Sequence, residues 1–330
     1  MRKILLVGGA GFIGHHLAIS LKNDGYDVAI VDSLLINNLY YFQKSNQENK
    51  RLYMNFISQR LEHLKRLKIP LHEIDARNYE SLKSLIQSIK PHIVIHFAAV
   101  AHAGKSNKDP HTSFDHSFTT LENSLDISKN LVKHFIYFSS SMVYGNFPTG
   151  SVNEDTICEP LGIYGALKFS GEKLVIAYNQ VFDLPYTIIR PSALYGPRCV
   201  SRRVGQIFIE NAISDKPVNI YGNGEEKLDF TYIDDLILGV TKVIENKNSL
   251  NQIFNLTFGE GRKVNDMVEI LKKAFPYIEI NYLPKDKLVP ERGTLSIKKA
   301  IEMIGYNPIY PLEKGYSEYI KWYKNISINN

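Results

Sequence analysis

Lys3-Ile4-Leu5-Leu6-Val7-Gly8-Gly9-Ala10-Gly11-Phe12-Ile13-Gly14 is the stretch that decides the fold. A short apolar run ends on glycines, which marks a buried strand. Phe12, Ile13, Leu17 and Leu21 then recur at helical spacing, so a helix follows. Gly8, Gly11 and Gly14 stand three apart between the two elements. Glycines there permit a tight turn and close backbone approach, and the helix N-terminus attracts a pyrophosphate. A second strand, Asp27 to Val31, ends at Asp32. A carboxylate at that place accepts hydrogen bonds from both hydroxyls of an adenosine ribose and repels a 2′-phosphate. The context therefore predicts NAD rather than NADP, bound by Gly8, Gly11, Phe12, Ile13, Gly14 and Asp32.

The same alternation continues outward. Further strands are predicted near Leu71 to Ile74, His92 to Phe97, Phe135 to Phe138 and Tyr186 to Ile189. Long amphipathic helices are predicted over Phe114 to Leu131 and Tyr164 to Tyr178. Short apolar strands alternating with such helices predict an α/β fold, a doubly wound parallel Rossmann sheet with ligands beyond the strands' carboxyl ends. After about Arg190 the pattern degrades, and helices such as Val264 to Ala274 alternate with single short strands. The expected division is an NAD-binding domain with the catalytic residues over 1–189. A smaller C-terminal α/β substrate lobe covers mainly 190–330, with a chain free to cross back. Ser33 to His72 is long for a connection. Its stretch Asn46 to Lys68, rich in Gln, Asn, Lys, Arg and Leu, predicts one extra surface helix, a solvated insertion outside the chemistry.

Composition narrows the function classes. Lys and Arg outnumber Asp and Glu by 39 to 34, a formal charge of +5 spread over 330 residues without a basic block. That suits an anionic small molecule and argues against nucleic acid. Two cysteines, Cys158 and Cys199, form neither a disulfide framework nor a zinc site, and no metal is expected. The N-terminal apolar run breaks at Gly8-Gly9, too early for a signal peptide, and no stretch is long enough to span a membrane. A cytoplasmic location is the expectation.

Tyr164-Gly165-Ala166-Leu167-Lys168 puts a phenol and an ammonium four residues apart on one helix face. A neighbouring cation favours phenolate, which lets a tyrosine act as a general base. Ser139-Ser140-Ser141-Met142-Val143-Tyr144-Gly145 follows the fifth strand directly, where a hydroxyl can meet a substrate oxygen beside the tyrosine. Capping of the strand end remains an alternative role for two of the three serines.

Taken in order, Gly8-x-x-Gly11-x-x-Gly14, His96-Phe97-Ala98-Ala99, Ser139 to Gly145, Tyr164-x-x-x-Lys168 and Arg190-Pro191 to Tyr195-Gly196-Pro197 resemble the extended short-chain dehydrogenases/reductases. The look is that of NAD-dependent nucleotide-sugar epimerases and dehydratases, of which UDP-glucose 4-epimerase is the best-known member. Tyr221 to Gly224, Asp229 to Asp235 and Arg292 to Leu295 extend the resemblance over nearly the whole chain. It implies Tyr164 as base, Lys168 as its electrostatic partner and nicotinamide-ribose ligand, and Ser140 as the catalytic hydroxyl. It implies Asp75 on the adenine, Ala98 and Ala99 along the pyrophosphate, and Ser106 and Ser141 toward the sugar. A homodimer through the two long helices around the fifth strand is implied as well.

Departures shape the reaction expected. In the dehydratases Asp and Glu follow the catalytic hydroxyl; here Ser141 and Met142 stand there, and neither transfers a proton to a leaving hydroxyl. Ala193 and Leu228 occupy places where relatives often carry phosphate-binding Asn and Arg. Lys227, Arg198, Arg202, Arg203 or Arg292 are the available replacements, with Arg198 and Arg292 taken as substrate ligands because a guanidinium fork bonds phosphate bidentately. The expected reaction is inversion at C4 of a UDP-type sugar through a transient 4-keto species. A 4-keto-sugar reductase, a C4 dehydrogenase, a glucuronate decarboxylase and a non-catalytic NAD sensor remain as alternatives.

Overall fold

The computed structural model describes residues 2–147, 150–284 and 290–328. Seven strands form one parallel sheet: β1 (Lys3–Val7), β2 (Asp27–Asp32), β3 (Leu71–Glu73), β4 (Ile93–His96), β5 (His134–Phe138), β6 (Tyr186–Arg190) and β7 (Gln252–Asn255). Their order is β7-β6-β5-β4-β1-β2-β3, and every pairing is parallel. The order reverses between β1 and β4, and a crevice opens there at the carboxyl edge of such a sheet. β1, β4 and β5 are buried on both faces, which explains their near-continuous apolar runs.

Helices cover both faces. On one side lie α1 (Phe12–Asn23), α2 (Leu39–Lys44) and α3 (Lys50–Arg66); on the other lies α4 (Tyr79–Ile89). After β4 come two short helices, α5 (Ala103–Lys108) and α6 (Pro110–Phe114), a π-helical turn over Asp115–Thr119, and α7 (Thr120–Ser128). The helix expected over Phe114 to Leu131 therefore runs without a gap from Pro110 to Ser128, widened in its middle by the π turn. Asp109 caps α6 by accepting from the Thr112 amide at 3.1 Å, and the wide turn shifts the register before α7 begins. Helix α8 (Gly162–Phe182) is longer than expected, because Asn107 accepts the Ile163 amide at 3.0 Å and extends its first turn.

The remaining helices are α9 (Val204–Ile213), α10 (Ile233–Glu245), α11 (Val264–Ala274), α12 (Lys298–Ile304) and α13 (Leu312–Ile328). Short strand pairs accompany them, such as Lys227–Asp229 with Gly261–Lys263 and Val218–Tyr221 with Ile280–Leu283. The chain crosses back past the expected boundary at 189/190: β7 pairs with β6, and α10 packs with the core on the α1 side.

The insertion is the main correction. It holds two helices, and α3 buries Tyr53, Phe56, Ile57, Arg60 and Leu64 along one stripe. Phe56 packs on Trp322 and Tyr323 of α13 at ring distances of 4.9 and 5.7 Å. The buried Glu210 of α9 takes hydrogen bonds from Tyr53 and Asn49 at 2.7 Å each, and from Gln206 and Tyr323 at 2.8 Å each. The polar composition concealed a helical apolar period, so the segment is a structural tie between the sheet and the C-terminal lobe rather than a solvated loop. Glu210→Ala strands donors around a lost carboxylate and is expected to cost about 3–5 kcal/mol of stability. An unfolding free energy from urea titration that falls by less than about 1 kcal/mol would contradict this.

Candidate active site

A cleft of about 420 Å³ lies over the carboxyl ends of β1, β4 and β5. Gly8 has φ +75°, and a Cβ there would meet the Ala98 amide nitrogen at 2.6 Å, so the β1 turn presses on the β4 turn. Gly11 differs, since a Cβ at its position would meet only the Gly8 carbonyl oxygen, at 3.5 Å. It precedes α1 and leaves space open in front of the helix N-terminus. Phe12, Ile13, Gly14, Ala98 and Ala99 line the same cleft. Asp32 is oriented by the Ala10 and Leu34 amides, which donate to its two oxygens at 2.9 and 2.8 Å. Burial raises its pKa against those hydrogen bonds. Asp75 also lines the cleft, but Arg77 grips it at 2.6 Å and reaches on to Asp115. Burial works to raise the Asp75 carboxyl, and the Arg77 hydrogen bonds outweigh it and hold it low.

The opposite wall is built by α8 and the end of β5. Tyr164, Lys168 and all three serines border the cleft. The serines divide the work by geometry. Ser139 donates to Glu172, and Ser141 donates to Ser192 at 3.2 Å. Among the described residues Ser140 only accepts, from the Met142 amide at 3.2 Å, which leaves its own proton for a ligand. Lys168 donates to the Phe138 carbonyl at 2.7 Å, which fixes the ammonium at the end of β5. Burial lowers its pKa to about 8, against the pull of Glu172. Glu172 in turn meets Arg190 in two bonds, at 2.9 and 2.7 Å, with both side chains buried.

Toward the C-terminal lobe the cleft adjoins a second cavity of about 490 Å³, and Val204, Leu228 and Arg292 line both. Arg292 has a buried Nε without a partner among the described residues. Burial lowers its pKa to about 10, with Arg203 adding to the effect and Tyr164 opposing it. Arg203 lines the cleft too and donates to the Ala101 carbonyl at 2.7 Å. Two expected substrate ligands are not among the residues lining it. Arg198 turns back onto α1, donating to His15 at 3.1 Å, because its backbone has φ +61°. Ser106 is fully buried in α5, its hydroxyl unpartnered among the described residues. Arg60, Asn37 and His116 line the cleft but escaped the sequence reading. The stripe at 53, 56, 57, 60 and 64 was the available signal for Arg60. The π turn that carries His116 left none.

The comparisons with known proteins agree with this geometry. The model of the NAD dependent epimerase/dehydratase family matches residues 4–257. A putative UDP-glucose 4-epimerase of Methanocaldococcus jannaschii is 30% identical over 329 residues, 98% of each chain. The crystal structure of UDP-glucuronic acid 4-epimerase from Bacillus cereus, in complex with UDP-glucuronic acid and NAD, superposes with a TM-score of 0.87. It is 29% identical and covers 98% of this chain and 100% of that one. UDP-glucose 4-epimerase from Thermotoga maritima with UDP-glucose gives 0.86, at 28% identity over 99% and 100%. With the glycine turn, Asp32, Tyr164 and Lys168 gathered around one cleft, the chain belongs to the NAD dependent epimerase/dehydratase family.

Proposed function

We propose that this chain is an NAD-dependent 4-epimerase of UDP-sugars, with Ser140, Tyr164 and Lys168 as its catalytic residues. The observation that carries the reading is that these three line the same cleft as the glycine turn, with no acceptor for the Ser140 proton among the described residues. The glycine turn, Asp32 and Lys168 would hold NAD, which would supply a reversible hydride acceptor for C4 of the sugar. Tyr164 takes the C4 hydroxyl proton and later gives it back, while Ser140 donates to the same oxygen. Lys168, fixed at the end of β5 by the Phe138 carbonyl, holds the nicotinamide ribose. Arg292 and Arg203, which enter no ion pair among the described residues, take the diphosphate in place of Arg198. The second cavity receives the nucleotide base. Ala193, Leu228 and Phe230 offer the sugar few hydrogen bonds, which suits a 4-keto ring that must turn over between two half-reactions. Ser141 and Met142 supply no acid for dehydration.

The same reading includes a cytoplasmic homodimer that makes precursors for polysaccharides. Phe114, Leu131, Val181 and Phe182 are exposed on or beside α6, α7 and α8, the helices such a dimer would bury. No helix among the described residues is long and apolar enough to cross a membrane.

Proton NMR of UDP-glucose and UDP-glucuronate incubated with the enzyme tests the reaction directly. Conversion to the C4 epimer, with no solvent deuterium at C4 when run in D₂O, is the expected result; label at C4 would overturn the mechanism. Tyr164→Phe should slow conversion by about 10²–10⁴-fold while NAD binding persists. A fully active variant removes Tyr164 from the chemistry.

Cofactor choice follows from Asp32. Calorimetry on nucleotide-free protein should show NAD favoured over NADP, because a 2′-phosphate meets a carboxylate in a partly dry site. Equal affinities would overturn that assignment.

Lys168 links stability to pH. Its folded pKa, about 8, lies below its ordinary 10.5, so the unfolded chain binds more protons between those values. The unliganded protein should therefore gain stability from this group as pH rises from about 8 to 10.5. Lys168→Met should abolish that gain, leave the unliganded protein no less stable at pH 7, and weaken NAD. Denaturant titrations across the window, paired with calorimetry, check all three; a variant that binds NAD like wild type contradicts the ribose contact.

A further inference from the structure

Arg60 lies in the interior of α3 at 1% exposure and borders the cofactor cleft. Its Nε, at 3.1 Å, and its Nη2 both donate to the Arg198 carbonyl, and Nη1 is buried without a partner among the described residues. Asp32 is within electrostatic reach, but the Ala10 and Leu34 amides already occupy its oxygens. A buried guanidinium that meets only a neutral carbonyl bears its desolvation cost uncompensated. An anion arriving in the cleft would compensate it.

The surroundings say which anion. The open space before Gly11 faces the N-terminus of twelve-residue α1, whose first turn carries no acidic residue. His15 and His16 in the same helix are kept neutral by burial, His16 with a pKa of about 3. Asp32 therefore stands near two positive features, and in NAD the anionic part is the diphosphate. We propose that Arg60 donates to the diphosphate of bound NAD, so that the 33–72 insertion is part of the cofactor site. This rests on the NAD-dependent reading above. The same guanidinium holds the Arg198 carbonyl, at the head of the segment through Cys199 and Arg203 that borders the sugar end of the cleft. Cofactor occupancy is thereby tied to the placement of that segment.

The test is calorimetry of NAD, ADP and adenosine on nucleotide-free wild type and Arg60→Met. NAD and ADP should each weaken by at least about tenfold in the variant, the scale of a charge-assisted phosphate contact, while adenosine stays within about twofold. NAD affinity within about twofold of wild type overturns the proposal, as does an equal loss for all three ligands. Should Arg60→Met fail to fold, Arg60→Gln, which keeps a donor for the carbonyl and removes the charge, carries the same comparison. If neither folds, hydrogen exchange on wild type decides: α3 amides should slow with NAD or ADP and not with adenosine, and any other pattern overturns the proposal. Wild type that binds no NAD would instead overturn the proposed function, a separate outcome from loss of the Arg60 contact.

Discussion

Glu172 and Arg190 meet fork to fork beneath the active site, and the placement of the reacting groups hangs on that contact. Glu172 lies four residues beyond Lys168 on α8, and Arg190 is the last residue of β6. Their bidentate geometry sets both the height of the helix and its rotation about its own axis. Glu172 also receives the Ser139 hydroxyl, while Arg190 donates to Tyr144 at 2.9 Å, and Tyr144 donates to Asn255 of β7 at 2.8 Å. One continuous network thus joins the ends of β5, β6 and β7 to the helix that presents Tyr164. Gly171 lets α8 approach so closely, since a Cβ there would meet the Tyr137 hydroxyl at 2.3 Å. A lone charge left in this place would be strongly destabilising, so the network holds as a unit.

Charge in the cleft is distributed to match a doubly anionic load. Lys168, Arg203, Arg292 and Arg60 all line the cleft, which also reaches the α1 N-terminus. Asp32 is the acidic counterpoint, held by two amides rather than by a cation. Lys168 and Arg60 are already buried there, whereas Arg203 is exposed. Electrostatic stabilisation of this kind needs little reorganisation when the ligands arrive. Apolar residues such as Ala193, Leu228 and Phe230 line the cleft between the cations.

Much of this was legible in the chain. The glycine spacing, the acidic end of β2, the Tyr164–Lys168 pair and the alternation of apolar strands with amphipathic helices are local patterns, with periods set by backbone geometry. They give away the sheet, the cofactor and the candidate reacting residues that line the cleft, because each depends on neighbours within a few positions. The insertion was misjudged for the opposite reason: its polar composition was weighed, while the partners that bury Tyr53, Phe56 and Arg60 lie far along the chain in α9, α13 and the Arg198 segment.

Side-chain direction was likewise a matter for the fold. The resemblance singles out Ser140 among three adjacent serines, and the positions of Glu172 and Ser192 give the other two hydroxyls their acceptors. Of the two arginines taken as phosphate ligands, Arg292 lines the cleft, while Arg198, at φ +61°, donates to His15. The sequence by itself determined the doubly wound sheet and its cofactor turn, since those follow from hydrophobic period and glycine stereochemistry. Which serine hydroxyls find acceptors, which guanidinium lines the cleft and which face of α3 is buried was decided by tertiary structure, because hydrogen-bond partners remote in sequence settle where each polar group points.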